Sequence, residues 1–156
     1  MDKFYIGIDL GGTNIKGALF DRDLNCAVER NIPTEAEKGP EHVLVRMYGM
    51  ICSMLGEKGL TTGDIACMGI GLPGLMDVEA GISLFAATLV DWENIPVSRW
   101  FEDRLKVPVF IDNDVRTNLY GEWHFGAGRG YDNVVLLTLG TGVGSAVVMD
   151  GRVLYG

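Results

Sequence analysis

Asp9-Leu10-Gly11-Gly12-Thr13-Asn14-Ile15-Lys16 brings a carboxylate, two glycines, a hydroxyl, an amide and an ammonium together within one short segment. Apolar runs at 4–8 and 18–20 flank it, so it reads as a tight turn between antiparallel strands. Gly11 and Gly12 can take positive φ and let main-chain N–H groups approach an anion closely. Thr13 adds a hydroxyl donor, Lys16 a nearby cation, and Asp9 an anchor for a metal ion or its waters. Such a set is suited to holding a nucleotide phosphate. The plain alternative is a structural hairpin, because Gly-Gly turns between strands are common.

Leu139-Gly140-Thr141-Gly142-Val143-Gly144 is a second glycine-and-threonine turn between two apolar segments. Alone it marks a hairpin. Paired with the first, it suggests two hairpins clamping a phosphate chain from both sides. Asp112-Asn113-Asp114 falls where the apolar run 107–111 ends and a helix begins. Asn and Asp are favoured helix caps, but open α/β sheets also hold ligands at this end of a strand. Asp114 could there accept a proton, and Asn113 offers both a donor and an acceptor to a polyol hydroxyl. Gly69-Ile70-Gly71-Leu72-Pro73-Gly74 fits the dinucleotide fingerprint, with Asp91 about twenty residues further on. The segment after Gly74 lacks a helical pattern, so a pyrophosphate would have no helix N-terminus to sit on. A sharp strand-end turn that carries backbone to a ligand fits better. No Walker-type phosphate loop occurs. His42, beside Glu41, reads as solvated, and His124, between Trp123 and Phe125, as packed or half-exposed.

Three strands at 4–9, 15–21 and 25–32 must carry the first turn, as a meander. Pro40 opens a helix in which Val43, Met47, Met50, Ile51, Met54 and Leu55 recur at helical spacing, the methionines filling core. Residues 65–71 read as a buried strand, 96–106 as a helix, and 107–111 as another buried strand. A third helix starts at Asp112 or Asn113 and is broken by Gly126, Gly128 and Gly130. Residues 134–139 and 144–149 form a hairpin, which needs more structure to pack against: another copy or the rest of a second domain. The element order argues for a mixed α/β sheet.

The 156 residues, 47% hydrophobic, suffice for a real core. A net charge of -8 without any Lys/Arg cluster speaks against nucleic acid or an anionic membrane as partner. Cys26, Cys52 and Cys67 are odd in number and scattered, which reads as reduced thiols in a cytoplasmic protein. Met1-Asp2-Lys3 leads directly into a strand, so no signal peptide is expected.

Taken together, the motifs resemble the ROK family (repressors, open reading frames and sugar kinases), and within it the bacterial glucokinases, from about residue 4 onward. The segment from Asp9 to Lys16 looks like the family's first phosphate motif, Gly71-Leu-Pro-Gly74 like its sugar-side turn, and Leu89-Val-Asp-Trp92 like another family segment. Asn113-Asp114 looks like the sugar-binding and catalytic pair, and the turn through Gly140, Thr141, Gly142 and Gly144 like the second phosphate motif. Thr88 stands where many members place Asn, Ser145 where glycine is usual, and Leu75 where mammalian N-acetylmannosamine kinases carry Arg.

The resemblance implies an actin-like ATPase fold: a ribonuclease-H-like lobe with a mixed sheet over 1–122, then the opening hairpin of a second lobe over 123–156. It implies transfer of the ATP γ-phosphate to a hexose, glucose first among them, with Mg²⁺. Asp114 would be the general base, and Asn113 and Gly74 would position the sugar with it. Asp9, Gly11, Gly12, Thr13, Asn14, Lys16, Gly140, Thr141, Gly142 and Gly144 would hold the nucleotide, with Asp9 also on the metal side. The first motif begins so early that no DNA-binding helix-turn-helix is expected before it. A non-catalytic sugar- or nucleotide-binding regulatory module is the alternative. A different actin-like ATPase fits the Asn-Asp pair and the Gly-Leu-Pro-Gly turn less well. The isolated chain is expected to be inactive and to self-associate through its exposed hairpin and sheet edge.

Overall fold

The computed structural model describes residues 3–140 and 142–155. Three strands open the chain, β1 (Phe4–Leu10), β2 (Asn14–Phe20) and β3 (Cys26–Pro33), joined as an antiparallel meander. Side chains alternate across each strand, so Ile6, Ile8 and Leu10 on β1 share a buried face with their partners Leu19, Gly17 and Ile15. Gly17 is needed on that face. A Cβ there would lie 2.5 Å from Met50 Cε and 2.9 Å from Ile8 Cδ1.

Met50 belongs to α1 (Pro40–Glu57), which follows a 3-10 turn at Ala36–Lys38. Pro40 sits in the first helical turn, where its missing N–H costs nothing. Val43, Leu44, Met47, Met50, Ile51, Met54 and Leu55 form one buried stripe, so the methionines are core residues, as their spacing suggests.

β4 (Ile65–Leu72) then pairs parallel with β1, setting Asp9 opposite Gly71. Next come β5 (Leu75–Asp77), β6 (Ile82–Phe85) and β7 (Glu93–Ile95), a small antiparallel sheet over residues to which the sequence pattern assigns no element. Strands of three or four residues are too short to display a period. The chain continues through α2 (Val97–Leu105) to β8 (Val109–Asn113), completing a five-stranded sheet in the order β3-β2-β1-β4-β8. The expected mixed α/β sheet is therefore present.

The remainder comprises α3 (Asp114–Phe125), β9 (Val134–Leu139), β10 (Val143–Met149) and β11 (Arg152–Val153). The chain divides into two compact units, one up to Asp112 and one from Asn113. In the second, Leu119 packs with Ala146 and Val148, joined by Val115, Trp123, Val134 and Leu136. The hairpin thus rests on α3, and β11 extends it. α3 begins at Asp114, not at Asp112 or Asn113, because Asn113 keeps extended backbone and caps the helix. No helix among the described residues is long and apolar enough to cross a membrane. All three cysteines are free thiols.

His42 departs from the solvated reading. Its Nε2 lies 2.7 Å from Glu35 Oε2, and the same carboxylate meets Lys38 Nζ at 2.6 Å and Arg46 Nη1 at 3.2 Å. The Lys38 hydrogen bond first, then that of His42, pulls the Glu35 carboxyl down from its ordinary 4.5 to about 2, with the charges of Arg46 and Lys38 adding to the effect. A lowered folded-state pKa stabilises the fold above the ordinary value and loses that stabilisation as pH falls toward the folded one. Melting curves of the natural chain and Glu35→Gln should therefore show a Tm gap that is constant above about pH 5 and closes toward about pH 2. A gap that stays constant in acid would contradict this.

Candidate functional site

The first unit carries one group of candidate residues. Asp9 and Lys16 face each other across β1 and β2, with Nζ 3.9 Å from Oδ2 and both side chains more than half exposed. So loose and wet a pair contributes little stability. Gly11 N–H donates to Asn14 O at 2.9 Å and closes the turn between them. Neither Gly11 nor Gly12 has positive φ, contrary to the expectation from their type. Close approach is what calls for glycine here. A Cβ on Gly11 would lie 3.0 Å from Asn14 O, and one on Gly12 would lie 3.0 Å from Thr88 Cβ and 3.2 Å from Thr88 O. Thr13 and Asn14 are exposed at the tip.

Because Asp9 and Gly71 are level in adjacent parallel strands, the first turn and the turn Gly71-Leu72-Pro73-Gly74 leave the same end of the sheet. That is the strand end at which α/β sheets receive ligands. Gly74 does need left-handed backbone, at φ +88, and a Cβ there would run into the Phe85 carbonyl oxygen. β5 follows Gly74 directly, so the dinucleotide reading of this segment has no helix to rest on. Leu89 and Trp92 are buried, and the Trp92 indole N–H donates to Ser83 Oγ at 2.9 Å. These two anchors hold the loop that brings Thr88 against Gly12.

The second unit carries the other group. Asn113 Oδ1 accepts from Val115 N–H at 3.0 Å and Arg116 N–H at 3.4 Å, satisfying two donors of the first turn of α3. Asp114 Oδ1 also accepts from Val115 N–H, at 2.9 Å, and its carbonyl accepts from the Thr117 hydroxyl at 2.8 Å. In the hairpin, Gly140 N–H donates to Gly142 O at 2.9 Å, and Gly144 pairs with Thr138. A Cβ on Gly144 would lie 2.6 Å from both Thr138 Oγ1 and Val115 Cγ2. Val115 adjoins Asp114, so the start of α3 and the second glycine turn sit together. Thr141 lies outside the described residues.

One contributor escaped the sequence reading altogether, and a second, Thr88, was singled out there only for its place in the family pattern. Thr34 is fully buried, and its hydroxyl donates to Gly11 O at 2.6 Å while its N–H donates to Thr13 O at 2.8 Å. Thr88 crowds Gly12. Only the pairing of Asn14 with Pro33 brings the first to the turn, and no local pattern encodes either contact. Among the described residues no three His, Cys, Asp or Glu side chains are grouped to hold a metal. A lone exposed carboxylate such as Asp9 suits Mg²⁺, which keeps its waters and takes other ligands from phosphate.

The ROK family model matches residues 5–156. The glucokinase of Thermotoga maritima is 39% identical over 151 residues, covering 97% of this chain and 46% of that protein. The glucokinase of Halalkalibacterium halodurans is 32% identical over 155 residues, covering 99% and 47%. A ROK family glucokinase from Streptomyces griseus, solved with glucose and AMPPNP, aligns with a TM-score of 0.81 at 30% identity, covering 98% of this chain and 46% of that one. Xylose repressors match as well, that of Bacillus subtilis at 27% identity over 153 residues, covering 98% and 39%. The chain spans about half the length of the glucokinases it matches.

Gly74→Ala should destabilise the fold by about 1–3 kcal/mol or more, through backbone strain and the clash with Phe85. Gly49→Ala, on α1 with open space around it, should instead add about 0.5–1 kcal/mol. Urea unfolding of the two variants checks the pair, and equal effects would show that the Gly74 conformation is not as described.

Proposed function

The chain belongs to the ROK family, and from that premise we propose that it forms the nucleotide- and sugar-holding part of an ATP-dependent hexose kinase, with glucose the foremost substrate. The observation that supports this reading is the levelling of Asp9 with Gly71, by which the first glycine turn and the Gly74 turn leave the same end of the sheet.

ATP, with Mg²⁺, supplies the phosphoryl group when bound. Around it, Asp9 carries the metal side through its carboxylate. Gly11 and Asn14 would shape the first turn, whose Gly12 backbone, Thr13 hydroxyl and Lys16 would oppose phosphate charge, and Gly140, Thr141, Gly142 and Gly144 would be the nucleotide-holding residues of the second unit. Asn113 and the Gly74 turn orient the sugar ring. Asp114, in the first turn of α3, accepts the proton of the attacking hydroxyl. In this reading residues 1–122 belong to the first lobe and 123–156 open the second. The partners are small molecules, not nucleic acid or membrane, and the location is the cytoplasm.

A second reading, a non-catalytic sugar- or nucleotide-binding regulatory module, is favoured by the match to xylose repressors. Turnover separates the two. A coupled assay with Mg-ATP and a panel of hexoses is run on this chain alone and on this chain joined to the second half of the Thermotoga maritima glucokinase. The joined protein should phosphorylate a hexose, and the isolated chain should not. Asp114→Asn in the joined protein should lower kcat by about 10²–10⁴ with Mg-ADP affinity unchanged. Full turnover in that variant would remove Asp114 as the base. Binding of sugar and nucleotide without turnover in the joined protein would favour the regulatory module.

Self-association completes the proposal. Val135, Leu137, Leu139 and Val143 are 62–82% exposed along one face of the hairpin, an apolar row that a second copy would cover. Sedimentation equilibrium should report a dimer or larger species, and a monomer at all concentrations would count against it.

A further inference from the structure

We infer that Thr34 is a positioning residue for the first glycine turn, pinning two of its carbonyls so that the N–H groups of the same peptides point away from Thr34. This rests on reading that turn as a phosphate holder. The Thr34 hydroxyl donates to Gly11 O at 2.6 Å, and its main-chain N–H donates to Thr13 O at 2.8 Å. In a planar trans peptide the N–H points opposite to the C=O. Holding the Gly11 carbonyl toward Thr34 therefore aims Gly12 N–H away from it, and holding the Thr13 carbonyl does the same for Asn14 N–H. The Gly12 donor thus gains a fixed direction before any anion arrives, while Asn14 N–H faces Gly11 across the turn and fixes its width; a donor already oriented binds without a further ordering cost.

Thr34 is itself held fast from both sides. It is fully buried, at 0% exposure. Before it, the Pro33 carbonyl accepts from Arg46 Nε at 3.0 Å. After it, Glu35 adopts left-handed backbone, φ 56, and its carboxylate gathers Lys38, His42 and Arg46. Arg46 and His42 belong to α1, whose apolar stripe is sunk in the core. The chain of contacts runs from the core through α1 to the end of β3, and from Thr34 to the turn. A buried hydroxyl needs a partner, and here that partner is the carbonyl that sets the turn's shape. Gly12 cannot shift sideways either, because Thr88 stands against it.

The test compares the natural chain with Thr34→Val, which keeps the volume and removes the hydroxyl, and Thr34→Ser, which keeps the hydroxyl. Amide NMR follows a titration with Mg-ADP up to millimolar concentrations, and thermal melts confirm that each variant is folded. In the natural chain the Gly12 amide signal should move on titration. T34V should bind about tenfold more weakly, with the Gly12 amide already displaced without ligand, whereas T34S should stay within about threefold. Arg46→Met, which unties Pro33 and Glu35 without touching Thr34, should weaken binding in the same direction and serves if T34V does not fold. Unchanged affinity in T34V, or in R46M where T34V is unfolded, would overturn the assignment while leaving the phosphate reading in place. Equal losses in T34V and T34S would overturn it too, because the effect would then follow any change of packing at this position and not the hydroxyl bond in particular. Absence of binding by the natural chain would overturn the phosphate reading, and this assignment with it.

Discussion

The parallel pairing of β1 with β4 decides where the ligand-facing turns of the first unit stand. Ile6 lies against Met68 and Ile8 against Ile70 in that ladder, and all four are buried. The register cannot slip by one residue without turning these side chains to the opposite face. Asp9 is therefore level with Gly71 for reasons of core packing, although neither residue packs in the core for its own sake. The polar ends of the two strands take their positions from the apolar middles.

A second constraint acts from below. The side-chain tips of Met50 and Met54 on α1 lie over Gly17 of β2, and the same helix ties down the end of β3 through Arg46. The turn that carries Asp9 and Lys16 is thus supported by two routes, through its own strands and through Thr34. The glycines of the candidate site do not all answer to one need. Gly74 takes a backbone conformation that L residues adopt poorly, whereas Gly12 and Gly144 make room for Thr88 and Val115. Glycine type alone does not distinguish these cases, which is why residue type points to positive φ at Gly11 and Gly12 and the backbone does not adopt it there.

Much of the architecture was legible in the chain. Long elements announce themselves, α1 by the helical spacing of its methionines and β1 and β2 as apolar runs on either side of a glycine turn. The capping residue Asn113 was visible by type, although the helix begins a residue later than expected. The small sheet β5-β6-β7 was not legible, since its strands are too brief to show a period. Nor was the fate of His42, whose partner Glu35 lies seven residues back across a 3-10 turn.

The amino-acid order by itself determined the longer strands and helices, the turns between them, and the family to which those turns belong, because each of these depends on neighbours within a few residues. Tertiary structure alone decided that Asp9 and Gly71 are level, that Thr34 grips the first turn, that Thr88 presses on Gly12 and that Val115 presses on Gly144. The physical reason is that register and close approach arise from the packing of apolar side chains distant in sequence, and no local pattern carries that information.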